Sequence, residues 1–413
     1  MQAFTYRSGK LFAEDVAVED LARRYGTPLY IYSHAHLRER YRAIAAAMAE
    51  VKPLICYSVK ANSNAAVIRT LAAEGSGFDI VSGGELFRVL KAGGAANKVV
   101  FAGVGKTREE IEYALREQIR FFTVESEAEA RRISECAKRL GLPGRIAFRV
   151  NPDVDPKTHK YISTGKKENK FGLDLERALK AYEMAAALPN LEITGLHVHI
   201  GSQILAADPF GEALAKIKAL CLALKDRHPA FRTLDIGGGL GIQYKPEQQT
   251  LDPTVFAATV LPVLRELKLE VVMEPGRSIV GNAGILVSRV QYVKESHFKT
   301  FIVADAAMND LIRPSLYQAH HEILPVAETG RKVLGDLVGP ICESGDFLAQ
   351  DRELPAVGEG DLVAAMSAGA YGFAMASNYN SRPRPAEVMV DGASATLVRR
   401  RETWDDLVAA ETA

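Results

Sequence analysis

A lysine placed for covalent chemistry is the first notable residue of this 413-residue chain. Lys60 follows the apolar run Pro53–Cys56, which has the composition of a buried strand. This placement predicts an amine that points into the protein core. Because an unpaired ammonium in a core loses several kcal/mol of hydration, burial would lower the pKa of the amine and make it a nucleophile towards an aldehyde. The segment alone also allows a lysine at a strand end that reaches water.

Two histidines, His197 and His199, stand two residues apart in another apolar run. Side chains alternate along a strand, so we expect both imidazoles on the same strand face. Such a pair could bind zinc, or one imidazole could stack on the flat ring of a cofactor. A third interpretation is a pair of core histidines with satisfied hydrogen bonds. A metal site would need further carboxylate or histidine ligands at neighbouring strand ends, and these ends offer Lys60 and glycines instead.

Three consecutive glycines, Gly237, Gly238 and Gly239, follow a predicted strand. Glycine allows positive φ angles and leaves room for backbone N–H groups to converge on an anion. A tight turn would also explain the run. After the seventh strand of a (β/α)8 barrel, however, phosphate binding is the favoured interpretation.

The segment Glu274–Arg277 follows the next predicted strand. A buried carboxylate opposite a pyridine nitrogen would hold that nitrogen protonated, which strengthens the ring as an electron sink. The alternative is a plain ion pair between Glu274 and Arg277.

Two further candidates, Cys342 and Tyr371, stand in segments rich in glycine and other small residues. The thiol of Cys342 could serve as a proton donor. Tyr371 offers a hydroxyl to a phosphate or a substrate. From the sequence alone, a small apolar filler and a packed tyrosine are the simpler interpretations.

The elements that must position these residues are short apolar runs that alternate with helical patterns. Eight runs match the number and size of the strands of a (β/α)8 barrel, although a doubly wound sheet would alternate similarly. The candidate residues lie at or just after run ends, which in a barrel open on one face, and this favours the barrel. The runs are Leu54–Val59, Phe78–Val81, Val99–Ala102, Phe121–Val124, Ile146–Val150, Ile193–Ile200, Thr233–Ile236 and Glu270–Met273.

After Pro275, alternating or valine-rich runs replace the long helical patterns. Gly and Pro punctuate these runs, as is typical of a mostly antiparallel β domain. The stretch Phe4–Phe12 is also strand-like and could join that domain. The sequence therefore predicts an α/β fold, with a (β/α)8 barrel at 30–275 and a C-terminal β domain formed by 276–413 together with 1–29.

Composition and charge exclude several classes of protein. Lys and Arg together number 51, as do Asp and Glu, so nothing in the charge favours nucleic acid. No run approaches the roughly 20 apolar residues that span a bilayer, and the N-terminus lacks the pattern of a secretory leader. The 4 cysteines lack the close spacing of a disulfide framework or a zinc site. We expect a cytoplasmic protein with no nucleic-acid partner, no membrane partner and no metal.

Eight segments, in order, resemble the fold type III pyridoxal-phosphate enzymes, the group of alanine racemase and amino-acid decarboxylases. The specific resemblance is to the family that decarboxylates diaminopimelate, and it covers nearly the whole chain. It implies a pyridoxal 5'-phosphate-dependent carboxy-lyase that converts meso-2,6-diaminopimelate to L-lysine and CO2 in lysine biosynthesis. It also implies a homodimer with active sites at the subunit interface. The segments are Tyr57–Asn62, Phe78–Glu85, His197–Gln203, Gly237–Gly241, Glu274–Arg277, Asn309–Tyr317, Gly339–Asp346 and Ala368–Gly372.

The resemblance implies a role for each matching cofactor residue. Lys60 would carry the cofactor as a Schiff base, His199 would pack on the pyridine face and Glu274 would meet the ring nitrogen. Glu274 favours decarboxylases, because alanine racemases place an arginine there. The residues implied for the phosphate are Gly237, Gly238, Gly239, Ser202, Gly276, Arg277 and Tyr371.

The resemblance also implies how the substrate is recognised. Arg313 offers a cation suited to a distal carboxylate, which ornithine lacks. Ornithine decarboxylases typically have an aspartate after the reactive cysteine, whereas Glu343 follows Cys342 here. Cys342, from a partner subunit, would protonate the carbon that loses CO2. The substrate-binding candidates are Arg277, Arg313, Tyr317, Glu343 and Tyr371.

Three alternatives stay open at this point. A decarboxylase of ornithine, lysine or another diamino acid would share these motifs. A non-catalytic pyridoxal-phosphate carrier would resemble the barrel alone and would need neither Cys342 nor Tyr371. A metal-dependent barrel hydrolase would use His197 and His199.

Overall fold

The computed structural model describes residues 3–155 and 170–412. The described residues form two compact units. The first, called the barrel unit, comprises residues 41–242 and 249–278. The second, called the β unit, comprises the residues up to 40, 243–248 and those from 279 onwards.

The N-terminal elements begin with a small antiparallel sheet in which the second strand pairs with the first and the third. The predicted stretch Phe4–Phe12 is therefore a hairpin rather than one strand. These elements are β1 (Phe4–Arg7), β2 (Lys10–Ala13), β3 (Val16–Ala17), α1 (Val18–Tyr25), β4 (Leu29–Ser33) and α2 (His34–Ala47).

The barrel unit contains eight parallel strands that close into a ring, so the predicted barrel is confirmed. Consecutive strands of the eight pair along the chain, and the last pairs back with the first. The predicted runs match the observed strands to within a few residues, because buried parallel strands are continuously apolar. The strands are β5 (Leu54–Ser58), β6 (Gly77–Ile80), β7 (Val99–Phe101), β8 (Phe121–Val124), β9 (Gly144–Asn151), β11 (Leu191–His197), β12 (Thr233–Asp235) and β13 (Glu270–Met273), with the short β10 (Leu173–Asp174) beside β9.

Helices follow the strands, and polar side chains fix where several of them begin. Asn64, Ser82 and Ser126 each accept a backbone N–H of the helix that follows, which satisfies a donor that the first turn leaves unpaired. These caps set the length of the loops after the strands. The helices are α3 (Ala65–Ala73), α4 (Gly83–Lys91), α5 (Arg108–Arg116), α6 (Glu127–Leu140), α7 (Leu175–Ala186), α8 (Asp208–Arg227), α9 (Pro253–Leu267) and α10 (Arg277–Val280).

The β unit is built on a mostly antiparallel sheet, as predicted. Its strand order is β18-β17-β15-β14-β4-β20-β21, and β19 pairs with β14 and β16. Strand β4 is buried throughout and lies between β14 and β20, so an N-terminal segment forms part of this core. The remaining elements are β14 (Gly284–Glu295), β15 (Thr300–Ala304), α11 (Arg313–Tyr317), β16 (Ile323–Pro325), β17 (Lys332–Val338), β18 (Phe347–Pro355), β19 (Leu362–Ala365), β20 (Ala386–Asp391), β21 (Ser394–Arg399) and α12 (Trp404–Val408).

Candidate active site

Lys60 lies in a short 3₁₀ turn, Val59–Ala61, directly after β5. Its amine is 2.5 Å from Oδ2 of Asp79, and the lysine side chain is 37% exposed. The predicted burial is therefore only partial, because the side chain keeps contact with solvent while its amine pairs with a fully buried carboxylate. The side chain leaves the strand end and pairs with an acid on β6, which avoids the cost of a buried ammonium. The amine is accessible to a small molecule at the barrel mouth.

Asp79 was not predicted as a site residue. It is fully buried on β6, where it lies opposite Ser58 in the strand register. The Oγ of Ser58 is 2.7 Å from Oδ2 of Asp79 and 2.9 Å from the backbone oxygen of Glu274. Burial, and then the charge of Glu274, raise the pKa of Asp79, while Lys60 and Ser58 oppose that rise. An aspartate inside the apolar run was the available signal, because buried acids are almost always paired.

Glu274 lies directly after β13 and is 5% exposed. Its Oε2 is 3.1 Å from Nε2 of His197 at the end of β11. Asp235, at the end of β12, lies beside His197 in the strand register, and its Oδ1 accepts the Gly237 N–H at 2.9 Å. The ligand-type atoms of His197, Asp235 and Glu274 lie within 4.8 Å of one another. The barrel therefore brings two acids and one imidazole together at three neighbouring strand ends.

The two carboxyl groups in this cluster are driven to different protonation states. Burial, and then repulsion from Glu274, raise the pKa of Asp235 well above its usual range. Burial alone would also raise the pKa of Glu274, but the charge and hydrogen bond of His197, together with Lys60, lower it to about 2. Asp235 is thus the protonated partner and Glu274 the carboxylate. Among the described residues, Oε1 of Glu274 has no hydrogen-bond partner.

His199 lies just beyond the end of β11, next to the glycine run. Its Nδ1 accepts the Gly238 N–H at 3.2 Å. Burial, and then the positive charge of Arg149, hold the pKa of His199 well below its usual value, so the imidazole is neutral. A neutral ring that accepts at Nδ1 carries its proton on Nε2. The ring orientation is therefore fixed by the loop after β12.

The glycine run has a structural reason to be glycine. Gly237 and Gly239 have φ angles of 66° and 109°, which disfavour other residues. A Cβ on Gly238 would stand 2.1 Å from the backbone oxygen of Glu274. Close packing of strand ends thus accounts for all three glycines, and their role in phosphate binding stays a prediction.

The other residues predicted for the phosphate are partly brought together. In the barrel unit, Nη2 of Arg277, which is 6% exposed, donates to the Ser202 Oγ at 3.0 Å. Gly276 lies against β5, where a Cβ would be 2.9 Å from the Cβ of Ser58. Tyr371 belongs to the β unit, where its φ of 57° is unusual for a tyrosine.

A buried ion pair that sequence reasoning missed supports this loop. Arg149 on β9 and Glu125 after β8 are each less than 10% exposed and lie 3.1 Å apart. The Arg149 Nη2 also donates to the backbone oxygen of His199 at 3.4 Å. This pair fixes the backbone of His199, and an arginine inside the run Ile146–Val150 was the signal that could have identified it.

The structure does not support the alternative of a metal pair formed by His197 and His199. His197 and His199 direct ring nitrogens at different partners, Glu274 and Gly238. Carboxylates do stand at the strand ends, contrary to the expectation of Lys60 and glycines alone. Asp235 and Glu274 form a cluster with His197. Interactions within this cluster already explain why the three side chains lie close together.

The Cys342 loop belongs to the β unit and is exposed. The Cys342 N–H donates to the Asn380 side-chain oxygen at 2.9 Å, and the Tyr379 hydroxyl donates to Glu343 at 2.9 Å. The carboxylate of Asp346 accepts hydrogen bonds from the backbone N–H groups of Met308 and of Ile341, which lies in this loop. The thiol is therefore presented on an ordered, solvent-accessible turn.

Arg313, at the start of α11, is buried at 6% exposure. Its guanidinium lies over the Tyr244 ring, 4.6 Å from the centroid, and Nη1 is 2.8 Å from Nε2 of His321. Tyr317 ends the same helix and is half-buried. Neither Tyr244 nor His321 was predicted, because their contact with Arg313 is set by the fold of the β unit.

These residues fit pyridoxal phosphate by the chemistry of their groups. An accessible amine suits the aldehyde, a buried carboxylate with one available oxygen suits the ring nitrogen, and a neutral imidazole suits the ring face. Residues 34–281 match the family model described as pyridoxal-dependent decarboxylase, pyridoxal binding domain. The fold and this match define the class as pyridoxal-dependent decarboxylases, whose cofactor is pyridoxal 5'-phosphate.

Comparison with known proteins identifies the family within this class of decarboxylases. A diaminopimelate decarboxylase of Aquifex aeolicus is 51% identical over 404 residues, which cover 98% of this chain and 96% of that protein. The crystal structure of diaminopimelate decarboxylase from Helicobacter pylori complexed with L-lysine has a TM-score of 0.92 and 41% identity, covering 95% of this chain and 98% of the other. A lysine/ornithine decarboxylase from Vibrio vulnificus complexed with putrescine has a TM-score of 0.80 and 27% identity, covering 91% and 97%. The chain belongs to the diaminopimelate decarboxylase family.

In the described parts of the chain, no helix has the length and apolar character needed to cross a membrane.

Proposed function

We propose that this chain decarboxylates meso-2,6-diaminopimelate to L-lysine and CO2. The observation that carries the proposal is the 51% identity to a diaminopimelate decarboxylase over 98% of the chain. Enzymes typically remove about 8 to 23 kcal/mol of barrier, whereas a neutral hydrogen bond contributes about 1 kcal/mol net. The residues around Lys60 therefore need a cofactor to reach this range.

The cofactor supplies an electron-poor ring that accepts the electron pair left when the carboxylate departs as CO2. Lys60 would hold it covalently, and Asp79 would orient the lysine amine. Glu274 would keep a proton at the ring nitrogen, since its own pKa of about 2 leaves the carboxylate charged at neutral pH. His199 would pack on the ring face. The phosphate candidates are Ser202, Gly237, Gly238, Gly239, Gly276, Arg277 and Tyr371.

Recognition of the substrate would rest on its two amino-acid ends. One end loses its carboxylate at the cofactor, and the distal end keeps both its amine and its carboxylate. Arg313 supplies a cation for the distal carboxylate, and Glu343 supplies an anion for the distal amine. The further candidates for this end are Arg277, Tyr317 and Tyr371.

The defining test is turnover of purified holoenzyme. We expect CO2 and L-lysine from meso-2,6-diaminopimelate, with a kcat/KM roughly 10- to 100-fold or more above those for ornithine and L-lysine, because one charged hydrogen-bonded contact is lost. Higher kcat/KM with ornithine would favour the alternative decarboxylase. Cofactor absorbance without CO2 from any diamino acid would favour a carrier.

Cys342 is proposed as the proton donor to the carbon that loses CO2. We expect Cys342→Ala to keep cofactor absorbance and slow product formation by roughly 10²- to 10⁴-fold, the range of general acid catalysis. The kcat of Cys342→Ser should lie between those of the wild type and Cys342→Ala, because a hydroxyl is a weaker acid than a thiol. The measurement is kcat together with the absorbance spectrum of each variant, and an unchanged kcat in Cys342→Ala would reject this role.

We further propose a cytoplasmic homodimer in which the Cys342 loop of each subunit completes the other subunit's site, as the resemblance implies. The exposure of Cys342 supports this arrangement, since an exposed loop is free to meet a partner. Mixing Lys60→Ala with Cys342→Ala, each impaired alone, should raise the activity above that of either variant if sites form between subunits.

A further inference from the structure

His321 is a fully buried histidine of the β unit that the mechanism above does not use. Its Nδ1 is 2.8 Å from the backbone oxygen of Met366, and its Nε2 is 2.8 Å from Nη1 of Arg313. A carbonyl oxygen only accepts hydrogen bonds, and a guanidinium only donates them. His321 therefore carries its proton on Nδ1 and accepts from Arg313 through Nε2. Burial, and then the charge of Arg313, hold its pKa well below the usual value.

A second contact restrains the same guanidinium. The Arg313 Cζ lies over the Tyr244 ring, 4.6 Å from its centroid, and the Tyr244 and His321 rings pack edge-to-face with centroids 5.4 Å apart. A guanidinium over an aromatic face is attracted by the ring quadrupole, most strongly where water is excluded. Arg313 is thus held by two contacts: the guanidinium lies over the Tyr244 ring, and His321 accepts a hydrogen bond from Nη1.

His321 is itself fixed at its backbone. Arg352 on β18 donates to the backbone oxygen of His321, and its Nη1 is 2.7 Å from Nδ1 of the neighbouring His320. The Met366 N–H in turn donates to the Glu322 backbone oxygen at 2.8 Å. The imidazole is therefore held from the ring and from the chain, which makes it a rigid support for Arg313.

We propose that His321 and Tyr244 are positioning residues that aim the Arg313 guanidinium at the distal carboxylate of the bound amino acid. The inference rests on the proposed function, which assigns that carboxylate to Arg313. A neutral imidazole suits this task because it orients the guanidinium without contributing a negative charge. A carboxylate in its place would neutralise the cation and compete with the ligand for it.

The test uses two ligands that differ by one carboxylate. L-lysine keeps the distal amino-acid end of the substrate, and cadaverine is the same diamine without that carboxylate. We expect His321→Phe holoenzyme to bind L-lysine roughly 10- to 100-fold more weakly, the usual effect of a charged hydrogen bond. Its affinity for cadaverine should not change. The KM for meso-2,6-diaminopimelate should rise more than kcat falls.

Conservative variants separate positioning from folding. His321→Gln, which keeps one donor and one acceptor, should recover most of the L-lysine affinity, and Tyr244→Phe should keep it while Tyr244→Leu loses it. His320→Gln is the matched control, because its ring pairs with Arg352 and Glu322 and glutamine preserves an acceptor for Arg352. The binding constants would be measured by titrating cofactor absorbance or by calorimetry.

Two outcomes would overturn the inference without touching the proposed function. One is equal loss of L-lysine and cadaverine affinity in His321→Phe, which would show a structural role. The other is unchanged L-lysine affinity in that variant with normal cofactor content. A wild-type enzyme that releases no CO2 from meso-2,6-diaminopimelate would instead overturn the proposed function, and the inference with it.

Discussion

Replacing Lys60 with alanine should abolish covalent attachment of pyridoxal phosphate and reduce turnover to background. No other side chain in the barrel unit combines an accessible amine with the Asp79 contact at 2.5 Å, as far as the described residues go. Since enzymes of this kind accelerate reactions by about 10⁶-fold or more, we expect most of that factor to be lost. The measurement is the cofactor absorbance band of the purified variant together with CO2 release.

Lys60→Arg is the sharper companion variant. Arginine keeps a positive charge for Asp79, so the ion pair survives, but its guanidinium stays protonated and cannot attack an aldehyde. We expect it to fold normally and to be as inactive as the alanine variant. Recovery of activity in Lys60→Arg would show that charge, rather than a covalent bond, is what the position supplies.

A second lysine provides an internal control. Lys106 is buried, and its amine donates to the backbone oxygens of Gly103 and Thr123, both at 2.8 Å, and to Glu129 at 2.6 Å. All three of its donors are thus used, whereas the Lys60 side chain is 37% exposed. Borohydride reduction of holoenzyme followed by peptide mapping should tag Lys60 and leave Lys106 unmodified. A tag on Lys106 would contradict the assignment.

The barrel could be predicted from the sequence because its strands are buried on both faces. Runs such as Phe121–Val124 and Glu270–Met273 are mostly apolar and do not alternate, and their observed bounds match the predicted ones. The hairpin β1–β2 was less visible, since its turn at Ser8 and Gly9 interrupts a stretch that otherwise appears continuous. Local composition thus predicts that a strand is present better than it predicts where a turn divides two strands.

The supporting residues of the site could not be predicted in the same way. Asp79, Asp235 and His321 act through partners that are distant in the chain and adjacent only across strands or loops. Asp79 and Asp235 each show a local anomaly, an acid in an apolar run, but nothing local identifies the partner. The ion pair of Lys60 could not be predicted for the same reason, because Asp79 lies on another strand.

Glu274→Gln should lower kcat by roughly 10²- to 10³-fold, comparable to the loss of one preorganised electrostatic contact in other active sites. Glutamine has the shape of glutamate but no charge, so it cannot hold a proton at the ring nitrogen. Lys60 is untouched, and the cofactor should remain attached. The measurement is kcat with matched cofactor absorbance, and a kcat near that of the wild type would reject the assigned role of Glu274.

The cluster around Glu274 also predicts that substituting Asp235 should reduce kcat less than substituting Glu274. The raised pKa of Asp235 makes it a neutral acid, so Asp235→Asn preserves both its charge and an acceptor for the Gly237 N–H, and the loss in kcat should be less than tenfold, or about 1.4 kcal/mol. The pKa of Glu274, lowered to about 2, places its own protonation below the usual assay range. The wild-type kcat should therefore show no decline attributable to Glu274 as the pH falls from 9 to 5. If Asp235→Asn and Glu274→Gln were equally impaired, this assignment would be contradicted, and the negative charge would have to lie on Asp235 or be shared by both carboxyl groups.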